Sequence, residues 1–299
     1  MEYFRSDGAF PRLSDSAVTL GKFDGVHRGH KKLISRVLEK KEEGLQAVVF
    51  AFTSSEKMII TRKERSGLLE RCGIDVLVEC PLTEEIRHMK PDTFVREILV
   101  SDLHAASIVI GEDFRFGFER KGTPETLQLL GDRYGFETSV IPKEMEGRRK
   151  ISSTYIREEL KDGHMEKVTS LLGMPFFLEE TIVHGAGLGH RRLLPTINQI
   201  PSEDKLLPPN GVYASRAELE GRSYYGMTNI GYKPTVDGSF LGVETYLFGC
   251  SEDLYDQECR LHLLHYQRPE KRFTNLEQLK AQLQKDARET EEWLEIWTK

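Results

Sequence analysis

This sequence contains few cysteines, no long apolar run and no strong excess of charge of either sign. Four cysteines occur among 299 residues, and none forms a Cys-x-x-Cys pair or lies in a cluster with histidines. These spacings argue against a zinc site and a disulfide scaffold, so we expect free thiols in a reducing compartment. No apolar run reaches the roughly 18 residues that a membrane span needs, and no apolar core follows Met1. We therefore expect a cytoplasmic protein without membrane contacts.

The net charge of −6 argues against electrostatic binding of DNA or RNA by the chain as a whole. Basic clusters such as 148–150 and 190–192 are usually solvated loops, but both adjoin the motifs described below, which favours phosphate contacts there. A hydrophobic content of 38% and the length of 299 residues fit two globular domains of about 150 residues each. The sequence leaves a homo-oligomer open.

The first part of the chain, residues 1–175, alternates between strand and helix patterns. Apolar runs of strand length occupy 17–20, 47–52, 76–79, 107–110 and 138–141, and helical patterns separate them. Repeated strand–helix units predict a parallel sheet with helices on both faces. Ligands of such sheets bind beyond the carboxyl ends of the strands, where Gly21 and Gly111 lie.

Short strand patterns dominate residues 176–299. They occupy 179–183, 211–218, 223–230, 241–248 and 259–266, with turn residues between them. Consecutive short strands of this kind predict a small antiparallel barrel. A helix is predicted from about Asn275, with Thr274 and Glu277 as its capping box.

The segment from Gly21 to His30 reads GKFDGVHRGH and joins a predicted strand to a predicted helix. Glycines let the backbone approach a ligand closely, and a helix start offers unpaired N–H groups to phosphate. His27 and His30 add side-chain donors at the same place. Residues 111–117 and 151–157 supply further candidates, because Ser153 or Thr154 can cap a helix that carries Arg157 one turn later. Each feature alone also fits an ordinary turn or an exposed helix, but together they favour nucleotidyl or phosphoryl chemistry.

A second set of candidates lies in the strand-rich part. Thr196 and Asn198 point to the same face of an extended chain, and their oxygen atoms suit an Mg²⁺ ion that carries ATP phosphates. Gly187 and Gly189 precede them and are typical of a loop that covers phosphates. Glu244 interrupts an apolar strand; it either faces solvent or faces a pocket, where it could accept a proton from a hydroxyl.

The motifs of the first part resemble those of the adenylyltransferase module of bacterial bifunctional riboflavin kinase/FAD synthetases. Gly-x-Phe-Asp-Gly-x-His-x-Gly-His, Gly-x-Asp-Phe-x-Phe-Gly and Ser-Ser-Thr-x-Ile-Arg are all intact. The resemblance implies a Rossmann-like nucleotidyltransferase domain over 1–175 that transfers AMP from ATP to FMN, with FAD and pyrophosphate as products. The residues expected to bind ATP are Gly21, Phe23, Asp24, His27, Gly29, His30, Ser153, Thr154 and Arg157, of which His27, His30 and Arg157 are expected to be catalytic. Asp113, Arg115 and Arg120 are expected on the flavin side.

The strand-rich part resembles the riboflavin kinase domain in the order and spacing of its motifs. These motifs are Pro-Thr-x-Asn at 195–198, Thr-Asn-Ile-Gly at 228–231, Val-Glu-Thr at 243–245 and a basic segment at 268–273. The resemblance implies a six-stranded barrel with a terminal helix over 176–299, which phosphorylates riboflavin with ATP to give FMN. Thr196 and Asn198 would hold Mg²⁺ and ATP together with Gly187 and Gly189, and Glu244 would be the catalytic base.

Three departures from the family pattern keep other functions open. Residues 53–57 lack the prolines usual after the second strand, Leu193 replaces a usual glycine, and 248–250 replace an acidic and aromatic stretch. The expected function is conversion of riboflavin to FMN and of FMN to FAD. The alternatives are a kinase whose adenylyltransferase domain is impaired, a flavin-binding regulator without turnover, and a nucleotidyltransferase for another phosphate acceptor.

Overall fold

The computed structural model describes residues 1–6, 8–53, 55–184, 196–235 and 238–298. The contacts divide the chain into two compact units. The first comprises Met1–Glu56 and Arg62–Ser153, and the second comprises Lys57–Thr61 and Thr154–Lys299. This division differs from the predicted boundary between residues 175 and 176, which stays a prediction for the limits of the two functional domains.

The first unit contains a six-stranded parallel sheet. Its strands are β1 (Glu2–Arg5), β2 (Ser16–Gly21), β3 (Gln46–Thr53), β4 (Val76–Pro81), β5 (Ala105–Gly111) and β6 (Glu137–Ile141). They lie in the order β1-β4-β3-β2-β5-β6, and every neighbouring pair is parallel. Helices cover both faces of the central strands, so Val48 and Phe50 are completely buried. A strand that is buried on both faces needs a continuous apolar run, which is the pattern seen here. The first strand, β1, was not predicted.

Helices separate strands β2 to β6 of the first unit, as the alternating pattern predicts, although none was predicted over Glu84–His88. They are α1 (Arg28–Glu42), α2 (Arg62–Arg71), α3 (Glu84–His88), α4 (Pro91–Thr93, continued as a π-helix over Phe94–Asp102) and α5 (Pro124–Tyr134). The chain first adds strands on one side of β2 and then places β5 on its other side. This reversal creates a crevice at the carboxyl ends of β2 and β5, and Gly21 and Gly111 end those two strands.

The second unit is built on a six-stranded antiparallel sheet. Its strands are β9 (Phe176–Thr181), β10 (Thr196–Gln199), β11 (Gly211–Leu219), β12 (Arg222–Thr235), β13 (Gly238–Leu247) and β14 (Glu258–Pro269); β7 (Met145–Glu146) and β8 (Arg149–Lys150) form a separate small hairpin in the first unit. The order β10-β13-β12-β11-β14-β9 leaves β10 and β9 at the edges. Val183, just after β9, bridges Asn198 of β10, and the buried Gln199 amide donates to the carbonyls of Glu180 and Cys259. These contacts join the two edges, and the predicted α/β plus antiparallel fold class is confirmed.

Three helices complete the second unit, namely α6 (Ser153–Lys161, which begins at the last residue of the first unit), α7 (Met165–Leu172) and α8 (Leu276–Trp297). The predicted capping box of α8 was wrong by one residue. Asn275 is the N-cap and accepts the N–H of Gln278, whose side chain accepts the N–H of Thr274. Asn is as good an N-cap as Thr, so the local pattern Thr-Asn-x-x-Gln competed with Thr-x-x-Glu.

A buried ion pair fastens α8 to the barrel. Asp286 is completely buried on α8, and its two carboxylate oxygens accept from Arg268 of β14 at 2.8 and 2.5 Å. The amide of Gln282 donates to the same carboxylate at 2.7 Å. Removing one partner of such a pair leaves a buried charge uncompensated.

We predict that Arg268→Met lowers the free energy of unfolding by about 3 kcal/mol, because Asp286 then stays buried without its cation. Urea titrations followed by tryptophan fluorescence measure this effect at α8, since both tryptophans of the chain, Trp293 and Trp297, lie on that helix. Arg272→Met removes the same charge from an exposed position and serves as the control. Equal midpoints for the two variants would contradict the assigned role of the pair.

Candidate functional site

The turn that follows β2 is strained. Phe23 and Val26 have φ values of 49° and 41°, in the left-handed region, with Gly25 at 88° between them. Bulky and β-branched residues rarely adopt this conformation. Phe23 and Val26 are nevertheless 0% and 1% exposed, so burial of their side chains offsets the backbone strain. Such strain persists only where the surroundings over-determine the conformation, and it concentrates at functional sites.

Ser153 helps to hold this turn. Its hydroxyl donates to the carbonyl of Asp24 at 2.9 Å. The sequence predicts that Ser153 binds ATP phosphates, whereas in the structure its hydroxyl fixes the backbone of the turn. Its role toward ATP stays a prediction.

His27 and His30 lie together at the start of α1. His27 is the N-cap, and its Nδ1 accepts the N–H of His30 at 3.3 Å. The two rings stack with centroids 3.7 Å apart. A nitrogen that accepts a hydrogen bond carries no proton, so the proton of neutral His27 is on Nε2, which is thereby a donor. Gly29 leaves room for this pair, because a Cβ there would lie 3.2 Å from the His27 ring.

Both histidines stay neutral at physiological pH. Burial lowers the pKa of His27 to about 4. Burial also lowers the pKa of His30 well below its ordinary value, and the positive charges of protonated His27 and of Arg65 lower it further. Neutral imidazoles donate hydrogen bonds without adding charge, so these two side chains add none to the positive end of the α1 dipole.

A cavity of about 660 Å³ lies at the ends of β2 and β5 in the first unit. Six apolar side chains line it, namely Phe52, Leu82, Ile86, Phe94, Phe114 and Phe116. The predicted flavin-side residues Asp113, Arg115 and Arg120 line the same cavity, together with Gly21. Apolar walls with a few polar groups are typical of a site for a flat organic ligand. The structure thus brings these four predicted residues together.

Thr154 and Arg157 belong to the second unit. The Arg157 guanidinium donates to the carbonyl of Lys57 at 2.6 Å, within that unit. The side chain of Arg157 also lines a cavity of about 420 Å³ with Lys161 and residues 206–209. The predicted convergence of Thr154 and Arg157 with His27 and His30 stays a prediction.

The polar face of the second unit crosses three adjacent strands. Asn198 of β10 pairs directly with Glu244 of β13, and Glu244 pairs directly with Asn229 of β12. Side chains at directly opposed positions lie on the same face. The Thr196 hydroxyl donates to the Glu244 carboxylate at 2.9 Å, so Thr196, Asn198 and Glu244 are brought together as predicted. A cleft of about 230 Å³ adjoins Thr196 and is lined mainly by residues 250–255.

Buried hydroxyls fix the strands that carry this face. On the opposite, inner side the Thr228 hydroxyl donates to Ser215 at 2.7 Å and contacts the Thr245 hydroxyl at 2.8 Å. All three residues are completely buried. A satisfied buried network of this kind rigidifies its surroundings, so it holds β11, β12 and β13 in register beneath Asn229 and Glu244.

Sequence reasoning assigned no role to Asn229 and Glu270. Asn229 is the cross-strand neighbour of Glu244. A Cβ at Gly231 would lie 1.9 Å from a carboxylate oxygen of Glu270, so Glu270 covers the strand two residues beyond Asn229. The register of β12 and β13 reveals Asn229, and the close approach at Gly231 reveals Glu270; a glycine inside a strand is the sequence signal for such an approach. The predicted Gly187 and Gly189 lie outside the described residues.

We predict that part of the acid sensitivity of folding comes from His27. The folded pKa of about 4 lies below the unfolded value of about 6.5. The unfolded state therefore binds more protons between these values, and stability falls as the pH drops from about 6.5 to 4. The variant His27→Asn keeps the cap, because an Asn side chain also accepts a backbone N–H at an N-cap. It has no imidazole at this position to bind a proton. Urea midpoints at pH 7 and pH 4.5 should differ less for this variant than for the native chain; equal differences would contradict the assignment.

Comparison with known proteins covers nearly the whole chain. The family model for FAD synthetase matches residues 10–155, and the model for riboflavin kinase matches residues 172–294. The bifunctional riboflavin kinase/FMN adenylyltransferase of Listeria monocytogenes is 30% identical over 289 residues, covering 92% of this chain and 91% of that protein. The protein of the same name from Escherichia coli K12 is 34% identical over 281 residues and covers 90% of each chain.

One solved structure resembles this chain over nearly its whole length. The crystal structure of a macrolide-efflux protein from Streptococcus pneumoniae superposes with a TM-score of 0.84 at 27% identity, covering 96% of this chain and 97% of that one. Every helix in the described part of the present chain lacks the length or the apolar composition of a membrane span. Two family matches in the expected order and relatives at 30% and 34% identity decide the assignment. The chain belongs to the family of bifunctional riboflavin kinase/FMN adenylyltransferases.

Proposed function

We propose that this chain makes FAD from riboflavin in two ATP-dependent steps, one at each unit. The second unit phosphorylates riboflavin to FMN, and the first unit adenylylates FMN to FAD with release of pyrophosphate. The observation that carries the proposal is that each unit has its own polar site, and that each site lies within the matching family segment.

In the adenylyl transfer an oxygen of the FMN phosphate attacks the α-phosphorus of ATP. A new P–O bond forms, the bond between the α-phosphorus and the bridging oxygen breaks, and pyrophosphate leaves with that electron pair. The attacking phosphate is already an anion at neutral pH, so no general base is needed. His27, through its Nε2–H, and His30 would donate to the α- and β-phosphates beside the N–H groups of α1, and Ser153, Thr154 and Arg157 would serve the β/γ side. Catalysis then consists of positioning and of stabilising charge as it moves onto pyrophosphate.

The cavity beside β2 and β5 would take the flavin of FMN. Phe52, Phe94 and Phe116 form a connected aromatic wall, with centroids 5.9 to 6.1 Å apart, against which a flat ring system can stack. Arg115 and Arg120 would face the FMN phosphate. Because Phe52 is still inside β3, this wall does not depend on the altered 53–57 segment. The cavity therefore supports FAD formation over an impaired adenylyltransferase domain.

In the kinase step Glu244 would accept the proton of the riboflavin 5′-hydroxyl. The hydroxyl oxygen attacks the γ-phosphorus of ATP and a new P–O bond forms. The bond between the γ-phosphorus and the bridging oxygen breaks, and ADP leaves with that electron pair. The Thr196 hydroxyl donates to Glu244 at 2.9 Å and so orients the carboxylate. A strand carboxylate held beside a threonine and an asparagine has a clear use in catalysis, which a flavin-binding regulator without turnover does not need.

Magnesium fits the donors of this face. The hydroxyl of Thr196 and the amide oxygen of Asn198 are hard oxygen ligands, and Mg²⁺ usually takes few protein ligands and several from phosphates and water. Within the part of the chain that the structure describes, no group of three or more His, Cys, Asp or Glu side chains could hold a metal. Bound there, Mg²⁺ would neutralise charge on the ATP phosphates. The cytoplasmic location and a homo-oligomer stay predictions.

The direct test incubates the pure protein with riboflavin, ATP and MgCl₂ and separates riboflavin, FMN and FAD by chromatography. We expect FMN to appear first and FAD to follow with pyrophosphate. FMN that accumulates without FAD would indicate a kinase with an impaired second domain. Flavin binding without any conversion would indicate a regulator and would refute the proposal.

We predict that single substitutions separate the two steps. Glu244→Gln keeps an acceptor for Thr196 but cannot take a proton, so FMN formation should fall by at least about 100-fold, while added FMN is still converted to FAD. His30→Ala should do the reverse. Chromatographic rates with each flavin as substrate measure both steps.

Glu220→Gln, at an exposed hairpin position, is the matched control and should leave both rates unchanged. The two-site assignment is wrong if Glu244→Gln or His30→Ala impairs both steps equally in a folded protein.

A further inference from the structure

We propose that Arg65 is a positioning residue of the adenylyltransferase, which holds the strained turn between β2 and α1 from inside the first unit. This inference rests on the proposed function of that unit. Arg65 lies on α2 and belongs to none of the motifs that identified the site. Its side chain is completely buried, which for an arginine requires a specific set of partners.

The guanidinium of Arg65 joins two parts of the first unit. One nitrogen, Nη1, donates to the carbonyl of Lys22 at 2.9 Å, and Nη2 forms an ion pair with Glu79 of β4. Glu79 is only 1% exposed, and its other oxygen accepts from the hydroxyl of Tyr3 at 2.9 Å. The planar fork of arginine can serve a carbonyl and a carboxylate at once, which a lysine ammonium on a flexible stem does less well.

The carbonyl of Lys22 accepts a hydrogen bond from outside the turn, and this bond helps to fix the turn's conformation. Phe23, the next residue, is left-handed, so the peptide groups on its two sides have an unusual direction. Arg65 donates a hydrogen bond to the carbonyl of Lys22, the residue before Phe23. Ser153 donates one to the carbonyl of Asp24, the residue after Phe23. These two side-chain donors bracket the strained residue, and their bonds favour the conformation that leads into His27.

Arg65 also acts on His30 through its charge. The positive charge of the guanidinium lowers the pKa of His30. Burial and the positive charge of protonated His27 lower it as well, and burial has the largest effect. Phe23 connects the two places, since its ring lies 4.9 Å from that of His30. Arg65 therefore fixes the backbone of the turn and helps to keep His30 neutral without needing to touch the substrate.

A buried ion pair is weak evidence for a stabilising role, because apolar residues of similar size often stabilise a protein as well or better. Arg65 therefore calls for a test that separates positioning from stability. Arg65→Lys keeps the charge beside Glu79 but loses the fork. Arg65→Met removes the charge as well. Arg62→Met is the matched control, since Arg62 is on the same helix and approaches the same carboxylate, at 3.8 Å.

The experiment measures both reactions of each full-length variant. For Arg65→Lys we expect kcat/KM for ATP in FMN adenylylation to fall about 10- to 100-fold, with a raised KM for ATP. Riboflavin phosphorylation by the same chain should be unchanged and reports that the second unit is folded; the circular dichroism spectrum and urea midpoint of the variant report on the first. Arg62→Met should retain both activities.

The pKa of His30, followed by NMR of the imidazole resonances, separates the two contributions. It should rise in Arg65→Met, because a neighbouring positive charge is removed, and stay nearly constant in Arg65→Lys. If Arg65→Met does not fold, the KM and kcat/KM of Arg65→Lys for ATP are sufficient to test the proposal.

The proposal is overturned if Arg65→Lys adenylylates FMN with native kinetics, or if it loses both reactions in parallel. It is also overturned if only the amount of active protein falls, with KM for ATP unchanged. A native chain that makes no FAD at all would instead refute the proposed function, so the two failures can be told apart.

Discussion

The first unit depends on one backbone constraint, namely that the chain leaving β2 must reverse through left-handed residues before α1 can begin. This path places His27 at the N-cap, where its Nδ1 accepts the N–H of His30. That hydrogen bond in turn decides which imidazole nitrogen carries a proton. The strain at Phe23 and Val26 is offset by their burial and by donors from Arg65 and Ser153. The conformation of the turn therefore rests on groups outside its own motif.

The second unit solves a similar problem with strands instead of a helix start. Alternation along β10 puts Ile197 and Gln199 in the core and leaves Thr196 and Asn198 half-buried on the other face. The antiparallel register then places Glu244 opposite Asn198. The barrel is closed at this same position, since Val183 bridges Asn198 and Gln199 bonds to two carbonyls of neighbouring strands. A shift of one residue would turn every one of these side chains to the opposite face.

Local patterns were sufficient for most elements of the fold. Continuous apolar runs marked the buried parallel strands, and helices such as α5 and α7 ended where Gly135 and Gly173 adopt the left-handed conformation. The pattern was insufficient for β1, where Tyr3 is 48% exposed and the pairing with β4 is non-local. It also misplaced the cap of α8, because two polar pairs with the same spacing overlapped there. Short edge strands and overlapping caps differ by small local energies, so context decides between them.

The sequence by itself determined which residues are candidates for the chemistry, because a histidine pair after a glycine turn and a strand glutamate after a Pro-Thr-x-Asn segment are defined by spacing along the chain. Only the tertiary structure decided which of their neighbours matter. Arg65 lies outside the motifs, whereas Asn229 and Glu270 lie in the segments 228–231 and 268–273, where the sequence assigned neither of them a role. They become neighbours of the sites through burial, strand register and the close approach at Gly231. The tertiary structure also directed the hydroxyl of Ser153 to a carbonyl of the turn. Residue spacing shows which groups one segment can present together. The partners of a buried donor depend on packing between segments that are distant along the chain, and spacing does not give that packing.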